Sequence, residues 1–403
     1  MRSHRFARFL LALPAALLVS CAEQETPTPQ DPAALDQSAG AEIAGEFTLV
    51  KTAGEDNGGS MATDGTNYLV GFDNGSPNIA KSRLVTAPST LGPILSTRRE
   101  AHAPLIGFDG TNYLMVWTDE TGGFLMRNVF AQRVNTSGAK VGGLIHITGT
   151  DDVLITCGLA YAGGQYVVTY LRFDGRIYRR FVSPAGTVLG AAKAVSSTYG
   201  ACAGFNNVAT DGTDFLAVWL SLDVTSVMAR LVRADGTLGR ERTLNASPES
   251  SEQPVGVAYA GADYLVTWAD EITAGTRWDL YGRLVDEAGA PNGGRITIQS
   301  SAKVKYPGPV MPSNGNFAVL FADNVGDPPN ATMKVRFFSA AGAPLGAAQT
   351  VFRTVAGKVA VATAVANGSN FFFAVTRFVP GADPLDYSTY TGRDINGSFK
   401  ILP

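Results

Sequence analysis

The chain has 403 residues, with 32 basic and 35 acidic side chains and 45 glycines. No basic stripe or Lys/Arg cluster interrupts this near-balance, which argues against nucleic acid as a partner. Aromatic and β-branched residues are plentiful and blocks of Glu, Lys and Leu are missing, so the composition points away from helical bundles and towards an all-β, turn-rich protein.

In chain order, Arg2, Arg5 and Arg8 form a basic start, and Phe9 to Ser20 an apolar run too short to span a bilayer as a stable helix. The run ends in Leu18-Val19-Ser20-Cys21, which resembles the lipobox of bacterial lipoproteins. That resemblance implies that residues 1–20 are a signal peptide and that Cys21 is acylated. An ordinary secretory signal cleaved nearby is the alternative. Several acyl chains would hold the protein firmly, because each buried CH₂ contributes roughly 0.8 kcal/mol. Ala22 and Glu23 follow, with no aspartate after Cys21, and the same resemblance implies the outer membrane. Without Arg2, Arg5 and Arg8, 29 basic residues face 35 acidic ones, a net charge of −6. Residues 21–46 hold Pro27, Pro29 and Pro32 and almost no large apolar group, so they read as a disordered, semi-extended tether.

From residue 47 onwards the chain repeats itself. "TDGTNYLVGF" (Thr63 to Phe72), "FDGTNYLMVW" (Phe108 to Trp117) and "TDGTDFLAVW" (Thr210 to Trp219) are the clearest copies. An aromatic anchor recurs at Tyr68, Tyr113, Tyr166, Phe215, Tyr264, Phe317 and Phe371, at spacings of 45 to 54 residues. Seven copies at this period mark a repeat architecture. A second phrase begins at Arg83, Arg133, Arg180, Arg230, Arg283 and Arg336, and the seventh copy is degenerate. Each repeat therefore holds two hairpins, with glycine supplying the positive φ of the turns. The strand after the first turn is apolar on both faces and must be covered on both sides. Small residues six positions before the anchor (Ala62, Gly107, Ala160, Ala209, Ala258) suit a crowded axis. The expected fold is a seven-bladed β-propeller of about four antiparallel strands per blade, over residues 47–403. A parallel β-helix is the rival, but its coils are shorter and lack paired hairpins. Either Glu46 to Thr52 or the C-terminal "SFKILP" is expected to complete the blade shared by the chain ends.

The pattern DGTNYLxVW…RVxxxGxxLG resembles a repeat of exported β-propeller proteins of environmental Gram-negative bacteria, often lipoproteins and largely uncharacterised. The resemblance implies fold and location and no particular activity.

The short hairpin turns share one end of the propeller. The links between second and third strands, and between blades, share the other, and that loop-rich end is where ligands are expected. Asp119-Glu120 and Asp270-Glu271 occupy equivalent places there, with Asp73 and Asp323 nearby. They read either as a ring of carboxylates able to bind a cation or act as acid and base, or as strand-end acids that cap a turn and keep edges soluble. Repetition in several blades favours the second. Arg98, Arg99, Glu100 and His102 form the most polar link between blades and are candidates for anion or glycan contact. Trp278 lies off the packing column of Trp117, Trp219 and Trp268, and is a candidate to stack on a sugar. Cys157 and Cys202 are a candidate disulfide in an exported chain. No metal or cofactor is expected. His102 and His146 alone cannot make a three-histidine zinc site. Asp64, Asp109 and Asp211 each stand alone before a glycine, unlike a calcium loop.

These readings converge on a membrane-anchored, non-enzymatic propeller of the bacterial envelope that binds another envelope protein or a glycan. A propeller glycan hydrolase or lyase with an acidic site at the channel mouth is one alternative. A structural subunit of an envelope assembly is another.

Overall fold

The structure, a computed structural model, describes residues 42–51, 56–74, 79–121, 126–149, 152–202, 206–246, 252–273, 277–300, 305–323, 332–353, 359–379 and 392–402. The expected signal peptide, Cys21 and most of the expected tether lie outside these residues.

Every described element is a β-strand. The chain starts with β1 (Glu42–Val50), β2 (Asp56–Thr63), β3 (Asn67–Asn74), β4 (Ile79–Thr86), β5 (Thr90–Phe108), β6 (Asn112–Asp119), β7 (Asn128–Asn135) and β8 (Lys140–His146). Next come β9 (Val153–Ala162), β10 (Gln165–Arg172), β11 (Ile177–Val182) and β12 (Val188–Ala194). The fourth repeat holds β13 (Gly200–Ala201), β14 (Val208–Thr210), β15 (Phe215–Ser221), β16 (Ser226–Val232) and β17 (Arg242–Ala246). The fifth and sixth hold β18 (Glu252–Tyr259), β19 (Asp263–Thr273), β20 (Arg277–Asp286), β21 (Pro291–Gln299), β22 (Lys305–Ser313), β23 (Asn316–Asp323), β24 (Thr332–Phe338) and β25 (Gln349–Arg353). The chain ends with β26 (Val359–Asn367), β27 (Asn370–Val379) and β28 (Gly392–Ile401).

The turns form as the residue types require. Asp64 Oδ1 accepts hydrogen bonds from the Thr66 and Asn67 N–H groups, at 2.8 and 2.6 Å. Asp109 and Asp211 do the same in their own turns. Gly65 and Gly110 sit at φ 93° and 91°, where a side chain would be strained. The carboxylates are occupied by their own backbone.

The sheets are antiparallel ladders. Five contain four or five strands: β9–β12, β13–β17, β18–β21, β22–β25, and β26, β27, β28 and β1. The sixth contains seven strands, β2 to β8. This differs from seven separate four-stranded sheets, and the cause is β5. Its 19 residues run without a break, pairing with β4 up to Glu100 and with β6 from Ala101 onwards. Residues Arg98 to His102, expected as a loop, are therefore strand.

Burial follows strand order. β6 and β15 are buried on both faces, whereas the outer strands β8 and β12 are largely exposed. Trp117, Trp219 and Trp268 are fully buried, as their column requires. Each apolar layer bridges neighbouring sheets: Trp268 and Tyr264 pack with Leu216 and Val218, and Phe371 and Phe373 with Leu320 and Val335. Leu69 and Leu84 likewise pack against Tyr113 and Trp117, so the seven-stranded sheet folds back on itself. Fully burying one such side chain contributes about 1.5–3 kcal/mol.

Both chain ends enter one sheet. β28 is its third strand and β1 its outer strand. Glu42 to Glu46, expected in the tether, are part of β1. Leu49, Phe372 and Phe399 pack against Tyr68 and Phe72 of the first repeat. Asn367 Nδ2 donates to Gly65 O at 2.7 Å, which joins the last repeat to the first.

Candidate functional site

The candidate carboxylates are not solvent-exposed, and Asp119 caps the turn at its strand end. Asp73, Asp119, Asp270 and Asp323 are all buried, at 2–4 % exposure. Buried carboxylates require partners, and Asp119, Asp270 and Asp323 have theirs within their own repeats. Asp119 Oδ1 accepts from Thr121 N–H at 2.9 Å and from the Thr121 hydroxyl at 2.5 Å. Glu120 pairs with Arg127 at 2.6 Å. Lys334 Nζ donates to Asp323 Oδ2 at 2.7 Å.

The fifth repeat carries the densest polar cluster. Asp270 and Asp279 are cross-strand partners on β19 and β20, which places their side chains on the same face. Arg277 Nη2 donates to Asp279 Oδ2 at 2.8 Å, and the Ser300 hydroxyl donates to the same oxygen at 2.9 Å. The two interactions with Asp279, hydrogen bond first and charge second, raise the Arg277 pKa. Arg295 lies 3.6 Å from Asp270 Oδ2 and 3.9 Å from the Tyr281 ring centroid. Burial is the main cause that raises the Tyr281 pKa.

Trp278 is not a sugar platform. It is 8 % exposed and packs with Leu280, Ile298 and Phe321. The stretch expected as a loop, Ala269 to Asp279, is mostly strand, because β19 extends to Thr273 and β20 resumes at Arg277. Glu271 sits opposite Trp278 in that ladder. The side chains of Arg98, Arg99 and His102 lie outside the described residues. His146 is exposed and stacks on Phe130, with ring centroids 4.3 Å apart. Cys157 and Cys202 form a disulfide across 45 residues, with Cα atoms 5.5 Å apart. It joins β9 of the third repeat to the segment just after β13 in the fourth.

A central channel of about 320 Å³ runs among segments of all seven repeats. Its wall includes Met61, Ile106, Ala160, Ala209, Ala258, Met311 and Val365, one from each. Among the described residues its polar side chains are neutral: Ser60, Tyr161, Asn206, Thr210, Tyr259 and Thr363. Tyr259 is hydrogen-bonded to Glu287, which with some burial pushes its hydroxyl up to about 12. Among the described residues, no group of three or more His, Cys, Asp or Glu is placed to hold a metal ion.

The two ends of the propeller differ. Met126, Ile155, Tyr199, Leu222 and Ile272 are exposed by 36–57 %, and all lie where second strands end, third strands begin or repeats join. Of the other exposed large apolar side chains among the described residues, Ile94 and Leu144 lie on the outer-strand segments of β5 and β8, and Leu345 lies in the link from β24 to β25, just past its turn. None lies in a hairpin turn. The sequence reading missed these five, because single apolar residues near links carry no pattern.

It also missed why the second phrase begins with arginine. Arg83 Nε donates to Gly92 O at 2.8 Å and its Nη1 to Leu49 O at 2.7 Å. Arg230 reaches Gly239 O and Val195 O, both at 2.8 Å. Arg283 reaches Gly293 O and Leu244 O. Arg336 reaches Gly346 O and Ile298 O. In these four repeats one guanidinium thus ties the outer segment of its own repeat to that of the preceding repeat, whereas Arg133 Nη1 donates to Ala185 O of the following one. The anchors add a second tie: Tyr113 Oη donates to Asn67 O at 3.2 Å, and Tyr166 Oη to Asn112 O at 3.1 Å. Burial first, and the preceding turn aspartate second, raise both tyrosine pKa values.

No family model matches the chain, and no curated protein matches it. Solved structures do. A chain from a structural and mechanistic study of two prolyl endopeptidases is 12 % identical, with a TM-score of 0.50 over 87 % of this chain and 50 % of that one. This chain thus spans about half the length of that endopeptidase. The phage phi92 endosialidase is 7 % identical, with a TM-score of 0.53 over 90 % of this chain and 70 % of that one. The β-propeller domain of the trilobed protease from Pyrococcus furiosus, described as having an open velcro topology, is 7 % identical, with a TM-score of 0.51 over 88 % of this chain and 97 % of that one. At such identities the likeness establishes the fold alone: the chain is an all-β propeller.

Proposed function

We propose that this protein is a lipid-anchored, non-enzymatic binding propeller of the bacterial outer membrane, akin to the exported propeller lipoproteins its repeats resemble. Cys21 carries the anchor, and the loop-rich end meets an envelope protein or glycan. The propeller has seven blades, with the seven-stranded sheet serving as two that share β5. Two features support that count: hydrogen bonding passes from β4 to β6 at Glu100 and Ala101, and the two halves pack face to face.

The observation that carries the binding reading is the asymmetry of the ends. Met126, Ile155, Tyr199, Leu222 and Ile272 give the loop-rich end exposed apolar contacts that the hairpin turns lack, and such groups within a polar rim suit a partner's surface. The test is in-cell crosslinking followed by quantitative mass spectrometry of captured proteins and glycans. Wild type is compared with a variant carrying Met126→Asp, Leu222→Asp and Ile272→Asp. The reading expects a partner that the variant loses. Equal capture by both would sink it.

One observation favours a second reading, a glycan hydrolase or lyase. Asp270 and Asp279 lie side by side in a cluster with Arg277 and Ser300, and paired carboxylates are the usual groups of glycosidic chemistry. Under that reading, purified protein degrades envelope glycan and Asp279→Asn abolishes the activity. Under the binding reading there is no turnover to abolish.

A further inference from the structure

We infer that the central channel is a binding site for a neutral secondary amide, separate from the loop-rich end. The innermost strands β2, β9, β14, β18, β22 and β26 each pair along one edge only. In an antiparallel ladder the N–H and C=O of alternate residues point away from the paired strand. The inner edges thus offer a donor and an acceptor side by side, the complement of an amide.

One such position is already filled by an amide. Asn206, from the fourth repeat, lies against β9 of the third. The Leu159 N–H donates to Asn206 Oδ1 at 3.0 Å, and Asn206 Nδ2 donates to Leu159 O at 2.9 Å. Both Leu159 and Asn206 line the channel. Ser60 shows the same edge chemistry elsewhere, its hydroxyl accepting from the Ile106 N–H at 2.6 Å. Two residues beyond Leu159 on the same strand is Tyr161, also in the channel wall, whose N–H and C=O share the Leu159 edge by alternation. Ala160, Ala209, Ala258 and Ala366 put only small side chains in the channel wall.

Size and charge narrow the ligand. A channel of about 320 Å³ falls at the lower end of ordinary ligand pockets, which run from about 300 to 1,000 Å³. Among the described residues, the wall has no cationic or carboxylate side chain to compensate a charged ligand for lost hydration. The site suits an uncharged molecule with one small N-acyl group, whether a blocked peptide or an N-acetylated sugar.

The experiment is ligand-observed NMR and calorimetry on the full mature chain. The probes are N-acetyl-alanine methylamide, N-acetylglucosamine, the acetate ester matching each, and N-acetyl-alanine with its free carboxylate. At least one amide probe is expected to bind. Its ester should bind about tenfold more weakly, having lost the donor that the edge carbonyl needs, and the free carboxylate should also be weaker. Which amide binds identifies the source. Ala209→Leu and Ala366→Leu, which add bulk to the channel wall from two different repeats, should each abolish binding without altering the melting temperature. Failure of both amides at millimolar concentration, equal binding of ester and amide, or binding that survives both substitutions would overturn the inference. The ester comparison stands on wild type alone, should either variant misfold.

Discussion

At the residue scale, the repeated aspartate is a turn device with an acid-sensitive signature. Burial alone would raise the Asp64 pKa, but the N–H and side chain of Asn67 and the N–H of Thr66 together hold it below the ordinary carboxylate value. A carboxyl depressed on folding contributes stability that is fully present above its unfolded value, about 3.9, and is lost as pH falls through the folded value. Asp64→Asn should therefore destabilise the protein at pH 7 and matter progressively less below pH 4. The effect stays below about 1 kcal/mol, because solvent screens so exposed a group. Urea midpoints at pH 7 and at about pH 2.5 give the comparison; a penalty that persists unchanged in acid would contradict this account.

At the element scale, the arginine ties decide how strands of neighbouring repeats hold together. Arg230 spans carbonyls of two repeats, Gly239 O and Val195 O. Charged hydrogen bonds of this kind contribute roughly 1.5–3 kcal/mol, so Arg230→Ala should lower the unfolding free energy by about that amount. Arg230→Lys should recover little of it, because an ammonium is a point donor and cannot reach both carbonyls as the guanidinium fork does. Chemical denaturation of the two variants measures both effects, and full recovery by lysine would refute the two-carbonyl tie. This column also shows what is readable in a sequence. The arginines stand out as a repeat, but their partners are backbone carbonyls, which no side-chain pattern marks. The turns and the aromatic column are readable because their causes are local: positive φ at Gly65 and Gly110, and burial of Trp117, Trp219 and Trp268 on both faces of a strand. Trp278 and the Arg98–His102 link are misread for the opposite reason. Whether a strand continues past its apolar stretch depends on the strand beside it, and β19, β20 and β5 each find a partner to continue against.

At the scale of the whole molecule, closure and asymmetry matter most. β1 completes the last sheet, while Asn367 and Arg83 connect the last repeat to the first. The sequence offers two candidates for the closing strand, and composition cannot choose, since "EFTLVKT" and "SFKILP" read alike. The structure uses both, as outer and third strands of one sheet. The candidate site is less legible than the fold. Asp119, Asp270 and Asp323, which look exposed in sequence, are buried and paired, and the exposed apolar groups are isolated residues whose shared end of the propeller emerges only from topology. That end carries the functional proposal. The most direct test is a photoreactive amino acid placed in living cells at Tyr199 and Leu222 on the loop-rich end, and at Ser137 and Thr237 in hairpin turns. Light-dependent adducts from Tyr199 and Leu222, with none from Ser137 or Thr237, are the predicted result. Adducts from the turns instead, or from no position, would contradict a binding face at the loop-rich end.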